Sequence, residues 1–143
     1  MISKKIIQNS FLIGLIALSS CSTNPQTIIY NEDQCHACKM IISNSHFGTE
    51  MVTTKGKIYK FDAVECLIPE LLNKGANNYV HILVTDYLTP HKLIDAKTSK
   101  YLISKKLPSP MGGFLSAYAT EENALTSKKQ FGGKIYIWEE IVK

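Results

Sequence analysis

The chain has 143 residues, a formal net charge of +4 and a hydrophobic content of 45%. All 16 basic residues are lysines, so the chain has no guanidinium group for bidentate contacts with phosphates or base edges. This composition fits a single globular domain and argues against a nucleic-acid ligand.

The N-terminus has the layout of a bacterial lipoprotein signal peptide. Two lysines precede a short apolar run at residues 11–18, and small residues lead to Cys21. The run is shorter than the roughly 20 residues that a transmembrane helix needs. The tetrapeptide Leu-Ser-Ser-Cys ending at Cys21 resembles the lipoprotein cleavage box, in which the cysteine carries the acyl chains. We therefore predict a signal peptide at 1–20, a lipidated Cys21 with a spacer to residue 31, and an exported protein tethered to the membrane.

Without its signal peptide the chain keeps 123 residues and a formal charge of +2, because the removed segment holds two lysines and no acid. This length suits one domain, which we place at residues 32–143. So small a charge implies no acidic partner.

The patterns along this domain predict two similar units, at about residues 32–88 and 89–143. The first unit reads as a hairpin at 49–61, a helix beginning at Asp62 and ending at Gly75, and a central strand at 80–86. Pro69 should kink this helix or start a new turn. The second unit repeats the order, with strands at 92–95, 101–103, 114–119 and 134–138 and a helix from Thr120 to Gly132. The predicted fold class is α+β, with two ββαβ-type units whose small antiparallel or mixed sheets carry one helix each.

Soft metal ligands are concentrated at residues 33–40, where Cys35, His36, Cys38 and Met40 follow one another closely. Thiolate and thioether sulfurs together favour Cu(I), whereas zinc gains little from a methionine. In an extended segment Cys38 and Met40 would point to the same side and could face one ion. His36 could add a nitrogen ligand or a supporting hydrogen bond.

Met111 is a further candidate, because it lies in a loop of prolines and glycines where no apolar pattern calls for it. Both Met40 and Met111 could equally pack against the core. Cys66 has apolar neighbours in the predicted helix, which favours a buried structural thiol.

Other readings of the cysteine pair fit less well. Lys39 follows the second cysteine where haem attachment requires histidine, and the remaining cysteine and histidines lack zinc-site spacing. An exported thiol-disulfide protein that uses Cys35 and Cys38 is the open alternative.

The sequence resembles the NosL family, the lipoprotein accessory factors of nitrous oxide reductase in denitrification. The resemblance rests on the motifs at residues 35–40, 61–67 and 110–113, which read CHACKM, FDAVECL and PMGG. It implies a non-enzymatic Cu(I) chaperone with paired ββαβ units that faces the periplasm or cell exterior. Its partners would be apo nitrous oxide reductase, which receives copper for its copper-sulfide centre, and other copper-delivery proteins. The implied ligands are Cys38, Met40 and Met111, with Cys35 and His36 as possible auxiliaries.

Overall fold

The computed structural model describes residues 22–143, so the predicted signal peptide and the predicted lipidation site at Cys21 lie outside the described residues. The described part alternates short strands with three α-helices. The strands are β1 (Thr49–Thr53), β2 (Ile58–Phe61), β3 (Tyr79–Thr85), β4 (Leu93–Asp95), β5 (Lys100–Ile103), β6 (Leu115–Tyr118) and β7 (Lys134–Ile137). The helices are α1 (Val64–Lys74), α2 (Glu121–Phe131) and α3 (Trp138–Ile141).

The strands form two antiparallel sheets. The first has the order β2-β1-β3-β4, and the second has the order β6-β5-β7. An isolated parallel bridge between Asp86 and Ala117 joins the end of β3 to β6. The α+β class is confirmed, because each sheet is built on a hairpin, a helix and a returning strand.

Local signals set most element boundaries. Gly56 turns the β1–β2 hairpin with a φ of 79°, a conformation that favours glycine. Helix α2 begins as predicted, since the side chain of Thr120 accepts a hydrogen bond from the amide of Asn123 at 3.2 Å. Gly75 and Gly132 end the two longer helices.

Three details of the prediction are wrong. Ala63, not Asp62, occupies the N-cap position of α1, and no side chain caps this helix. The strand predicted at 92–95 as the start of the second unit pairs instead with β3 at the edge of the first sheet. Trp138, predicted as the last residue of a strand, begins the short helix α3.

Helix α1 continues through Pro69, so no new helix begins there. The proline lies past the first turn and is exposed to solvent. The opposite face of α1 is buried through Val64, Cys66, Leu67 and Leu71. These side chains join a core cluster that includes residues from both sheets, so the two units share one hydrophobic core.

No helix within residues 22–143 combines the length and the apolar character that crossing a membrane requires.

Candidate metal centre

A tight turn carries the first two cysteines. The amide of Cys35 donates to the carbonyl oxygen of Met40 at 2.8 Å. The amide of Lys39 donates to the carbonyl oxygen of Cys35 at 3.0 Å. Lys39 takes a positive φ of 65°, which reverses the chain direction after Cys38. The expectation of an extended segment is therefore wrong. Cys38 packs against the core, whereas the side chain of Met40 is 48% exposed.

The turn brings Cys35 and Cys38 to Cys66 of helix α1. The three sulfur atoms lie within 4.8 Å of one another, and all three thiols are free. Cys35 is fully buried, Cys66 is 5% exposed, and Cys38 lies at the partly exposed rim. Within residues 22–143 this is the one group of cysteine, histidine and acidic side chains with ligand atoms close enough to hold a metal ion. Such a set of sulfur donors suits a soft metal.

Sequence reasoning missed the place of Cys66 in this cluster. Its predicted burial is confirmed, but its sulfur faces the other two cysteines instead of filling the core alone. The signal available in the sequence was that three cysteines remained once Cys21 was assigned to the lipid.

The pKa values of Cys35 and Cys66 are shifted in opposite directions. Burial raises the pKa of Cys35, but the backbone amides of Cys38 and Asp62, the Cys38 thiol and the Ala37 amide together lower this pKa below its ordinary value. Burial raises the pKa of Cys66 far above its ordinary value, and its neighbours Cys35 and Cys38 raise it further. Negative charge in the cluster therefore collects on Cys35 before Cys66, and a bound cation would relieve the repulsion between the sulfurs.

His36 lies beside the cluster without joining it. Its imidazole packs against the Tyr59 ring at a tilt of 56°, with 4.5 Å between ring centroids, and its Nε2 atom is 4.0 Å from a carboxylate oxygen of Glu70. Its backbone amide donates to the carbonyl oxygen of Lys60 at 2.8 Å, which ties the turn to β2. These contacts let His36 hold the cysteine turn in place.

Both candidate methionines are exposed to solvent. Met40 lines a groove together with Pro108, Ser109 and Pro110, the residues that directly precede Met111. The side chain of Met111 is 40% exposed. The structure thus brings the cysteine turn and the Met111 loop to one groove, although 71 positions separate Met40 from Met111.

Glu65 fastens the Met111 loop to helix α1. The hydroxyl of Ser109 donates a hydrogen bond to the carboxylate of Glu65. It also accepts a hydrogen bond from the amide of Phe114 at 2.9 Å. The Glu65 side chain also lies against Gly113, where a Cβ atom would overlap it. Because Glu65 precedes Cys66, the loop with Met111 is attached to the helix that carries the third thiol.

Two carboxylates add negative potential next to the cluster. Oδ1 of Asp62 and Oε2 of Glu65 are buried without a hydrogen-bond partner in the described structure. Burial raises the pKa of Asp62, and the nearby Glu65 raises it further. Carboxylates at this position favour the binding of a cation.

A family model described as NosL matches residues 26–143, which is most of the chain. The chain belongs to the NosL family. This confirms the resemblance that the three motifs indicated. The matched range contains the three-cysteine cluster, both candidate methionines and both sheets.

Two NosL relatives can be compared with the chain. The copper-binding lipoprotein NosL of Stutzerimonas stutzeri is 28% identical over 120 residues, which cover 78% of this chain and 63% of that protein. The chain therefore matches less than two thirds of the length of this relative. The crystal structure of the copper chaperone NosL from Shewanella denitrificans superimposes with a TM-score of 0.72 at 23% identity, covering 85% of this chain and 98% of that one. The second comparison shows that the two proteins share a fold.

Proposed function

We propose that this protein binds Cu(I) and carries it outside the cytoplasm, anchored to the membrane by a lipid on Cys21. The observation that carries the proposal is the cluster of three free thiols within 4.8 Å of one another, at the rim of which Cys38 is partly exposed. Membership of the NosL family and the names of two relatives, which describe copper binding and copper chaperoning, support the choice of metal. The role is non-enzymatic.

The ligands proposed for the transferable ion are Cys38, Met40 and Met111, with Cys35 and His36 as auxiliaries. A thiolate and two thioethers are soft donors that match Cu(I). Met40 and Met111 are exposed at 48% and 40%, so an incoming ligand from another protein can reach an ion bound there. A thioether has no proton to lose, and only the thiol contributes to the pH dependence of binding.

The proposed acceptors are apo nitrous oxide reductase, during assembly of its copper-sulfide centre, and other copper-delivery proteins. Transfer between two proteins is fast when acceptor ligands enter before the donor ligands leave, and an exposed sulfur site permits this order. The relatives named as copper-binding and copper chaperone proteins make delivery the natural role of such a site.

Delivery is tested by mixing the full chain, loaded with one equivalent of Cu(I), with apo nitrous oxide reductase under anaerobic conditions. We expect copper to appear on the separated reductase faster than from the same concentration of a Cu(I)–chelator complex of equal affinity. An unrelated exported apo-copper protein serves as the control acceptor. Equal rates from chaperone and chelator, or equal transfer to both acceptors, would contradict specific delivery to the reductase.

The alternative, a thiol-disulfide redox protein, has one specific observation in its favour. The sulfurs of Cys35 and Cys38 are close together, and the lowered pKa of Cys35 favours its thiolate form. A redox protein would cycle between thiol and disulfide with a dithiol substrate, and the variant Cys35→Ser would abolish turnover. A copper carrier is inactive in that assay at any substrate concentration.

A further inference from the structure

The sulfur atoms of the candidate ligands fall into two groups that share Cys38. Cys35 and Cys66 are buried, at 0% and 5% exposure, whereas Met40 and Met111 are at least 40% exposed. Cys38 lies between these groups at the rim of the core. The proposed transferable site uses only one of the three clustered thiols, so the arrangement of the other two needs its own explanation.

The three-cysteine cluster is already close to the geometry of a metal site. With metal–sulfur bonds of about 2.3 Å, sulfur ligands are about 4.0 Å apart in a trigonal site and about 4.6 Å apart in a linear one. The three sulfurs lie within 4.8 Å of one another without a metal. Shifts of less than about 1 Å would therefore complete two-coordinate or three-coordinate sulfur ligation, and little structural reorganisation opposes binding.

The backbone keeps these cysteines together. The amides of Ala37, Cys38 and Asp62 point at the Cys35 sulfur, and hydrogen bonds close the turn from Cys35 to Lys39. Amides that donate to a thiolate also stabilise it as a metal ligand.

The same framework connects the buried cluster to the groove. Glu65, next to Cys66 in helix α1, accepts the hydroxyl of Ser109 in the Met111 loop. Met40, two residues after Cys38, lines the groove with Ser109. The segments that carry the two sets of sulfurs are thus connected through Glu65 and through the short step from Cys38 to Met40.

We propose that Cys35, Cys38 and Cys66 form a buried Cu(I) site, distinct from the surface site of Cys38, Met40 and Met111, and that the ion moves between them. This inference rests on the proposed function, because it takes Cu(I) as the cargo. During the move the Cys38 sulfur stays bound to the ion, and the two thioethers are exchanged for the sulfurs of Cys35 and Cys66. The copper remains Cu(I), no electron is transferred, and each thiol that becomes a thiolate ligand releases one proton to solvent.

The buried site would hold the ion and the surface site would release it. A site enclosed by the core excludes water and oxidants, whereas the exposed thioethers can be replaced by ligands from another protein. Removing the thioethers should therefore slow the transfer of the ion more than it weakens binding. Removing Cys35 or Cys66 should weaken binding more than it slows transfer.

The test uses the full chain, reduced and loaded anaerobically with one equivalent of Cu(I). X-ray absorption at the copper edge should show two or three sulfur ligands at thiolate distances in the wild-type protein. In the double variant Met40→Leu/Met111→Leu the buried site should still bind Cu(I), and release of the ion to a chromophoric chelator should slow by a larger factor than the affinity falls. Cys66→Ala and Cys35→Ala should each lower the affinity by at least about tenfold, a loss that is typical even of residues that only support metal ligands.

Matched variants separate ligation from folding. Met51→Leu makes the same substitution at a buried methionine of β1, and it should change neither affinity nor release rate. Thermal unfolding without copper shows whether a cysteine variant is folded. The X-ray absorption spectrum is recorded on the wild-type protein, so that measurement does not depend on the folding of any variant.

Two results would overturn the buried site. One is a Cu(I) affinity that is unchanged in folded Cys66→Ala and Cys35→Ala, and the other is complete loss of Cu(I) from the double methionine variant. A wild-type chain that takes up no Cu(I) at all would overturn the proposed function as well, so the two failures are distinguishable.

Discussion

Lys39 separates the inward-facing Cys38 from the outward-facing Met40. Its φ of 65° lies in the left-handed region, which costs a non-glycine residue about 1 kcal/mol or more. The Lys39 side chain offsets part of this cost by donating to the carbonyl oxygen of His36 at 2.5 Å. The local strain gives two neighbouring sulfur residues different exposures, which is what a buried and a surface site require.

Glu50 is a fully buried carboxylic acid in the central strand β1. One of its oxygens accepts the amide of Gln26 at 2.9 Å, and the other has no partner among the described residues. Burial raises its pKa above the ordinary value of 4.5 despite the attraction of Lys60 and His81, and Asp33 raises it further. Ionised Glu50 therefore destabilises the folded chain.

The variant Glu50→Gln should be more stable than the wild type at pH 7. The folded-state pKa is raised, so the contribution of Glu50 to stability is fully present below pH 4.5 and is lost as pH rises through that raised value. We expect a gain of about 1 kcal/mol at pH 7 that shrinks towards pH 4.5, measured by urea unfolding at both pH values. Glu122→Gln, at an exposed position of α2, should show no such pH-dependent difference, and an equal gain in both variants would contradict this account.

At the scale of elements, the turn from α2 into β7 depends on two adjacent glycines with positive φ, Gly132 at 71° and Gly133 at 96°. They differ in their surroundings. A Cβ atom on Gly132 would meet open space, whereas one on Gly133 would overlap the carbonyl oxygen of Ile103 in the neighbouring strand β5. Backbone atoms in a sheet cannot move aside without loss of the pairing between β5 and β7.

Gly133→Ala should therefore destabilise the fold far more than Gly132→Ala. The left-handed conformation costs either variant about 1–2 kcal/mol. The overlap adds at least about 2 kcal/mol to the loss of stability in Gly133→Ala alone, because a crowded backbone cannot repack. Chemical denaturation of the two variants side by side provides the measurement, and equal losses of stability would show that close strand approach is not the reason for glycine at 133.

The elements that the sequence predicts well are those with local determinants. The β1–β2 hairpin and helix α2 have their turn residues and caps within a few positions, and both form as predicted. Asp62 has the residue type of a helix cap, but the structure buries its carboxylate and directs its amide at the Cys35 sulfur, so the cap position falls to Ala63.

The candidate site was predictable only in its local part. The spacing in residues 35–40 indicated soft-metal chemistry, but the addition of Cys66 depends on the packing of α1 against the turn, which no short pattern encodes. The pairing of β4 with β3 is likewise a contact that loop geometry decides. A ligand role for Met40 and Met111 stays a prediction, supported by the groove that joins their two segments.

In the whole molecule, the cysteine turn and helix α1 form the cluster, and Glu65 ties the Met111 loop to that helix. Cys35 and Cys66 belong to the core that both sheets share. A site assembled from distant segments exists only in the folded chain, and Cu(I) should therefore stabilise the fold when it binds.

An anaerobic titration of the full, reduced chain with Cu(I) against a chromophoric chelator shows whether this protein is a Cu(I) carrier built around Cys38. Cys38→Ser and the control Met51→Leu are titrated in parallel. We expect tight binding of about one Cu(I) per chain, because soft sulfur ligands favour this ion. This binding should be retained in Met51→Leu and lost in Cys38→Ser. Weak binding that survives in Cys38→Ser would contradict this expectation and would turn attention to the redox chemistry of Cys35 and Cys38.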